Sequence, residues 1–193
     1  MRMMGFSMPY FKKLSLLLML FGALFLGVAT VRAEGISVRN AEVTATEEGY
    51  FLNADFDLEL TPALEEALNR GVSLTFTVSM EIIEPRWYWF NKDIVNLRQE
   101  RRLSFNPLMR VYRFSIGSLY LSFNTLKDAL QALTRLNGVR IADPGSMKKG
   151  GHYEARTQMR LDVSQLPKPF QVDALSSNDW NLASKPLSWT VSP

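Results

Sequence analysis

The sequence contains no cysteine. That removes disulfides, thiol nucleophiles, zinc–thiolate sites and the acylated cysteine of a bacterial lipoprotein. Any core must therefore hold by packing alone. Histidine is almost as scarce. His152, the only one, stands beside Gly150-Gly151 with no second imidazole to share a metal, and it reads as an ordinary surface residue. No serine lies in a Gly-x-Ser-x-Gly elbow, and no glycine-rich loop is spaced to cradle a phosphate. No cofactor or metal is called for. Internal repeats, linkers and low-complexity stretches are absent too.

Acidic residues are missing from the first 33 positions, which hold four basic ones, Arg2, Lys12, Lys13 and Arg32. Within this segment Leu14 to Val31 is an uncharged, largely apolar run of 18 residues. Val31-Arg32-Ala33 then places small residues where signal peptidase accepts them. Residues 1–33 are expected to be a secretory signal, with Glu34 the first residue of the working protein. The alternative is a retained anchor, since 18 helical residues reach about 27 Å, close to a bilayer core. Either way the positive leading flank keeps the N-terminus in the cytoplasm, so residues 34–193 would face the periplasm. An exported domain without disulfides is ordinary in a bacterial envelope.

Taking the leader away leaves 18 basic against 19 acidic residues. The high overall isoelectric point belongs to the leader, and the domain offers no support for binding nucleic acid. Its length suits one domain with a proper core.

Period-two alternation dominates that domain. Ile36 to Ala45 and Tyr50 to Leu60 read as strands joined at Glu47-Glu48-Gly49. A short helix follows, with Thr61 as its cap, Pro62 in its first turn and Gly71 as its stop. Val72 to Ile83 is the clearest strand, ended by Pro85. Ile94 to Phe105 and Met109 to Ile116 form the arms of a hairpin around Asn106-Pro107. A second helix is expected from Thr125 to Leu136, halted by Asn137-Gly138. A turn-rich loop, Asp143 to Gly151, leads to a strand over Tyr153 to Val163. Two short extended pieces, Phe170–Val172 and Leu187–Val191, close the chain. The fold class is mainly β, an antiparallel β-sandwich with two short helices, and an α+β sheet is the alternative.

Three features bear on function. Pro85-Arg86-Trp87-Tyr88-Trp89-Phe90 falls between two strands, and it concentrates the residue types that dominate interface hot spots. Large aromatics are buried more often than not, so Trp87 and Trp89 could instead continue the strand and cap the core. Charge is also segregated. Glu42 to Glu66 holds eight acidic residues and no basic one, whereas Arg86 to Arg113 holds seven basic residues against Asp93 and Glu100. The simpler expectation is that acidic and basic strands lie side by side as cross-strand pairs; the other is a basic face for an anionic partner. Asp55 and Asp57, two apart on an outward face, are the best carboxylates available to an enzyme acting on envelope glycans.

Trp87-Tyr88-Trp89, Val111-Tyr112-Arg113 with Gly117 beyond, TLKDALQAL from Thr125, and above all Leu161 to Val172 as LDVSQLPKPFQV resemble the bacterial family DUF4390. The likeness spans roughly residues 36–191. It implies an exported single-domain protein of Gram-negative species with no established activity, ligand or catalytic residue. It also implies a gene neighbourhood shared with a nitrogen-regulation-type sensor kinase, which makes that sensor's periplasmic region a candidate partner. The reading is a non-enzymatic domain that binds an envelope protein through Arg86, Trp87, Tyr88, Trp89 and Arg113, and that meets the inner membrane only through an uncleaved leader. A carrier holding an apolar ligand between sheets is the remaining alternative.

Overall fold

The computed structural model describes residues 35–192 apart from Trp89. The secretory signal expected over residues 1–33 lies outside the described residues. Alternating residues build nine strands among the described residues: β1 (Gly35–Thr46), β2 (Gly49–Glu59), β3 (Leu74–Glu84), β4 (Lys92–Asn106), β5 (Val111–Ile116), β6 (Leu119–Phe123), β7 (Arg135–Ala142), β8 (Tyr153–Leu161) and β9 (Leu187–Val191). Three α-helices interrupt them among the described residues, α1 (Pro62–Asn69), α2 (Leu126–Thr134) and α3 (Lys168–Ser176).

Every strand pairing is antiparallel. One sheet has the order β1-β2-β7 and the other β6-β5-β4-β3-β8-β9. The small sheet lies over part of the large one, β1 against β8 and β9 and β7 against β4, while α2 covers β4, β5 and β6. Between these layers lie Leu52, Phe56, Phe76, Met80, Leu133 and Met159, all essentially without solvent contact. Burying one such side chain contributes about 1.5–3 kcal/mol, so this interleaved face is what makes the two sheets one body.

β3 is the axis of the large sheet. Leu74, Phe76, Val78, Met80 and Ile82 point into the core; on the opposite face β4, β5 and β8 turn alternate residues to solvent, while Thr75 and Thr77 of β3 stay buried. Thr61 caps α1 by accepting from the Leu64 amide (3.3 Å), as its position before Pro62 requires.

Four expectations need correction. Arg135 to Ala142 is strand β7, because Asn137-Gly138 is a bulge and not a helix stop. Leu52 and Ala54 pair with Val139 and Leu136, so two residues of β7 face the single residue Asn53. Gly138 takes the left-handed conformation (φ 61°) that such bulges need, and its amide donates to Asn53 Oδ1 (2.8 Å). Leu119 to Phe123 is also a strand, turned back at Gly117-Ser118. Phe170 to Val172 is helical within α3, the third helix; Pro169 sits in its first turn, where no amide donor is needed. Finally, the acidic and basic segments do not pair across strands. The acidic run lies in β1, β2 and α1, and the basic run lies mostly in β4 and β5 of the other sheet. Asp57 pairs instead with Arg39 of β1, and Asp55 with Arg135 of β7 (3.4 Å).

Candidate functional site

Pro85 cannot donate to the ladder, so β3 ends at Glu84 and the chain must cross to Lys92. The base of this connection is tied down. The Arg86 amide donates to Asn91 Oδ1 (3.4 Å), and the Arg86 guanidinium lies 3.8 Å from Glu84. Just beyond, the β3–β4 register shifts so that Ile82 faces Val95 while Ile83 faces Asp93, leaving Ile94 as an extra residue on β4. A bulge here adds local twist where the connection leaves the sheet.

The rings at its tip are in water. Trp87 is 94 % exposed, Tyr88 67 % and Phe90 85 %. Trp87 therefore does not cap the core, because the strand that could have carried it inward stops at Pro85. Its ring meets Tyr88 edge-on, with centroids 5.2 Å apart and planes at 75°. That geometry is favourable for an aromatic pair and stiffens both rings. Trp89, also expected at this site, lies outside the described residues.

Arg113 is elsewhere. It sits on β5, opposite Ser104 of β4, at the end of the sheet where β3 begins. Eleven strand steps separate Ser73 from Glu84, about 35 Å at 3.3 Å per residue, so the tip and Arg113 belong to opposite ends of the sheet. The structure brings Arg86, Trp87 and Tyr88 together and leaves Arg113 apart.

Arg113 has different company. β4 turns Arg98, Glu100, Arg102 and Ser104 to the solvent face, because Leu97, Arg101 and Leu103 alternate with them toward the core. None of Arg98, Arg102 and Arg113 has a carboxylate within ion-pair distance among the described residues. No motif marks Arg102. Its only signal is the period-two alternation of β4, which assigns it to the face opposite the core.

The carboxylates offered for an enzyme are already engaged. Asp57 accepts from Arg39 Nε (3.0 Å) and raises the pKa of that guanidinium, while Asp55 faces Arg135. No group of three potential metal ligands occurs among the described residues. His152 is exposed, as expected. A concavity of about 540 Å³ between Gly35–Val38 and the segment from Asn178 to Leu187 is open to solvent, with Asp179, Asn181 and Lys185 among its lining. It lacks the closed apolar wall that a carrier of an apolar ligand needs.

The family model described as a domain of unknown function (DUF4390) matches residues 33–190. No curated protein and no solved structure matches the chain.

Proposed function

The chain belongs to the DUF4390 family, and from that premise we propose that it is an exported, non-enzymatic domain of the bacterial envelope that docks another protein through the β3–β4 tip. The leader carries residues 34–193 to the periplasm. The contact is made by Trp87, Tyr88 and Trp89, with Arg86 at the base. The observation that carries this reading is the exposure of Trp87, a residue 94 % in solvent. A monomer gains nothing from holding that much apolar surface in water, and burying it against a partner would return about 2 kcal/mol or more. The partner is an envelope protein, with the periplasmic region of a membrane sensor as the first to examine.

In-cell photo-crosslinking with benzoylphenylalanine in place of Tyr88 tests the reading in the full chain. A discrete adduct is expected, with its yield cut about ten-fold by Trp87→Ala and largely kept by Trp87→Phe. A tip without any protein adduct, or an adduct indifferent to Trp87→Ala, would refute it. Protease accessibility in spheroplasts, compared with intact cells, checks the periplasmic location separately.

A further inference from the structure

On the solvent face of the large sheet, remote from the tip and independent of its role, β3 to β6 form a shallow cup of about 310 Å³. Its rim carries Arg102, Arg113, Glu100 and Tyr120, all exposed. Its floor is made of hydroxyls: Thr75 is buried there, and Ser104 and Ser115 are half-buried. The register explains the grouping. Arg102, Ser115 and Tyr120 form one cross-strand row, and Ser104, Arg113 and Ser122 form the row beside it. The two arginines are thus diagonal neighbours, about 7–8 Å apart at the backbone.

Two like charges at diagonal positions repel, and sheets ordinarily offset them with a cross-strand acid. Among the described residues, neither arginine side chain makes a hydrogen bond or an ion pair. Each presents a planar fork of donors that suits a carboxylate or phosphate. Glu100 on the same rim argues against a polyanion such as nucleic acid, because each further phosphate would meet its charge. It does suit a polyol, whose hydroxyls can donate to it. The serine and threonine hydroxyls can both donate and accept, and the Tyr120 ring offers an apolar face against which a sugar ring can lie.

We propose that this cup binds an acidic sugar, one hexose-sized ring bearing a single carboxylate or phosphate. The oxyanion sits between Arg102 and Arg113. The ring hydroxyls meet Glu100 and the hydroxyl floor, and Tyr120 covers one side of the ring. Because the cup is open along the sheet, the sugar can be a free molecule or a unit of an envelope glycan.

Amide NMR on the full chain tests this with four probes: glucuronic acid, glucose 6-phosphate, glucose and inorganic phosphate. The two acidic sugars are expected to shift the amides of Ser104, Ser115, Gly117 and Tyr120 saturably, with glucose and phosphate alone each at least about ten-fold weaker. Arg102→Gln and Arg113→Gln should each weaken the acidic sugars about five-fold or more, whereas Arg156→Gln, on the same face but outside the cup, should not. Unchanged amide positions elsewhere show that the variants are folded. Phosphate binding as tightly as glucose 6-phosphate would overturn the proposal in favour of a bare oxyanion site. Absence of shifts with either acidic sugar would overturn it outright. Shifts of the same amides with phosphatidylglycerol vesicles and none with the soluble sugars would overturn it in favour of a membrane-facing surface.

Discussion

Arg101 is the one charged residue buried among the described residues, 4 % exposed between Gln99 and Leu103 on the inward side of β4. Its Nη1 donates to the Leu133 (2.7 Å) and Arg135 (3.0 Å) carbonyls, where α2 gives way to β7. These are the carbonyls that a helix end leaves without partners, and the negative end of the helix dipole favours a cation there. Phe114 lies beneath, its centroid 5.3 Å from the guanidinium carbon. Burial pushes the guanidinium down to about 10, so it stays charged at neutral pH. Arg101→Met keeps the length but orphans two carbonyls, and it should lower stability by about 2–4 kcal/mol in urea unfolding. Arg101→Lys should lose less, since one ammonium can still reach a carbonyl.

Gly49 makes a second residue-scale test. A Cβ there would lie 2.5 Å from the Ala142 carbonyl oxygen, at a φ of 139°. Gly49→Ala should therefore cost about 1–3 kcal/mol, by strain and by pushing β7 off β2. Gly138→Ala meets no neighbour, and only its left-handed backbone opposes it, at about 1 kcal/mol. Equal losses in urea midpoint for the two would show that the Ala142 contact is not what constrains Gly49.

The stretch Leu161 to Val172, which carries the family likeness most specifically, forms a corner of the fold. Asp162 receives the Ser164 amide (3.1 Å), and its own amide donates to the Thr75 carbonyl (2.8 Å), fastening the end of β8 to β3. Gln171 donates to the Ser164 and Leu166 carbonyls (2.9 and 2.7 Å), and Phe170 packs on Trp180 with centroids 5.3 Å apart. Phe170→Ala should then cost about 1–2 kcal/mol and weaken the near-ultraviolet circular dichroism of Trp180, without altering the tip. Long alternating strands such as β2, β3 and β8 were legible in the sequence because one face of each is buried along its whole length. α3 was not, since proline reads as a breaker wherever it stands, although in a first turn it breaks nothing. β7 was hidden by the same kind of ambiguity. Asn-Gly after a leucine-rich helix signals a stop, and only a partner strand with one residue fewer reveals a bulge.

At the scale of the whole fold, Asp57 and Asp55 of the small sheet take Arg39 and Arg135 as partners, so neither carboxylate is engaged by the arginines of the large sheet. A sequence shows that charge is segregated but not which strands become neighbours, and for that reason Arg113 could be grouped with the aromatic tip before the topology separated them. The separation has a thermodynamic consequence. Sites more than about 10 Å apart that share no partners add within about 0.5 kcal/mol, and tip and cup stand about 35 Å apart along a rigid sheet. Trp87→Ala should leave the acidic-sugar affinity unchanged, Arg102→Gln with Arg113→Gln should leave the Tyr88 crosslink unchanged, and the combined variant should show the two losses side by side. A coupling above about 1 kcal/mol in that cycle would mean that one ligand spans the sheet from end to end, contacting β4 along its length. Arg98, midway along the same face and without a carboxylate partner among the described residues, would then be the next residue to replace.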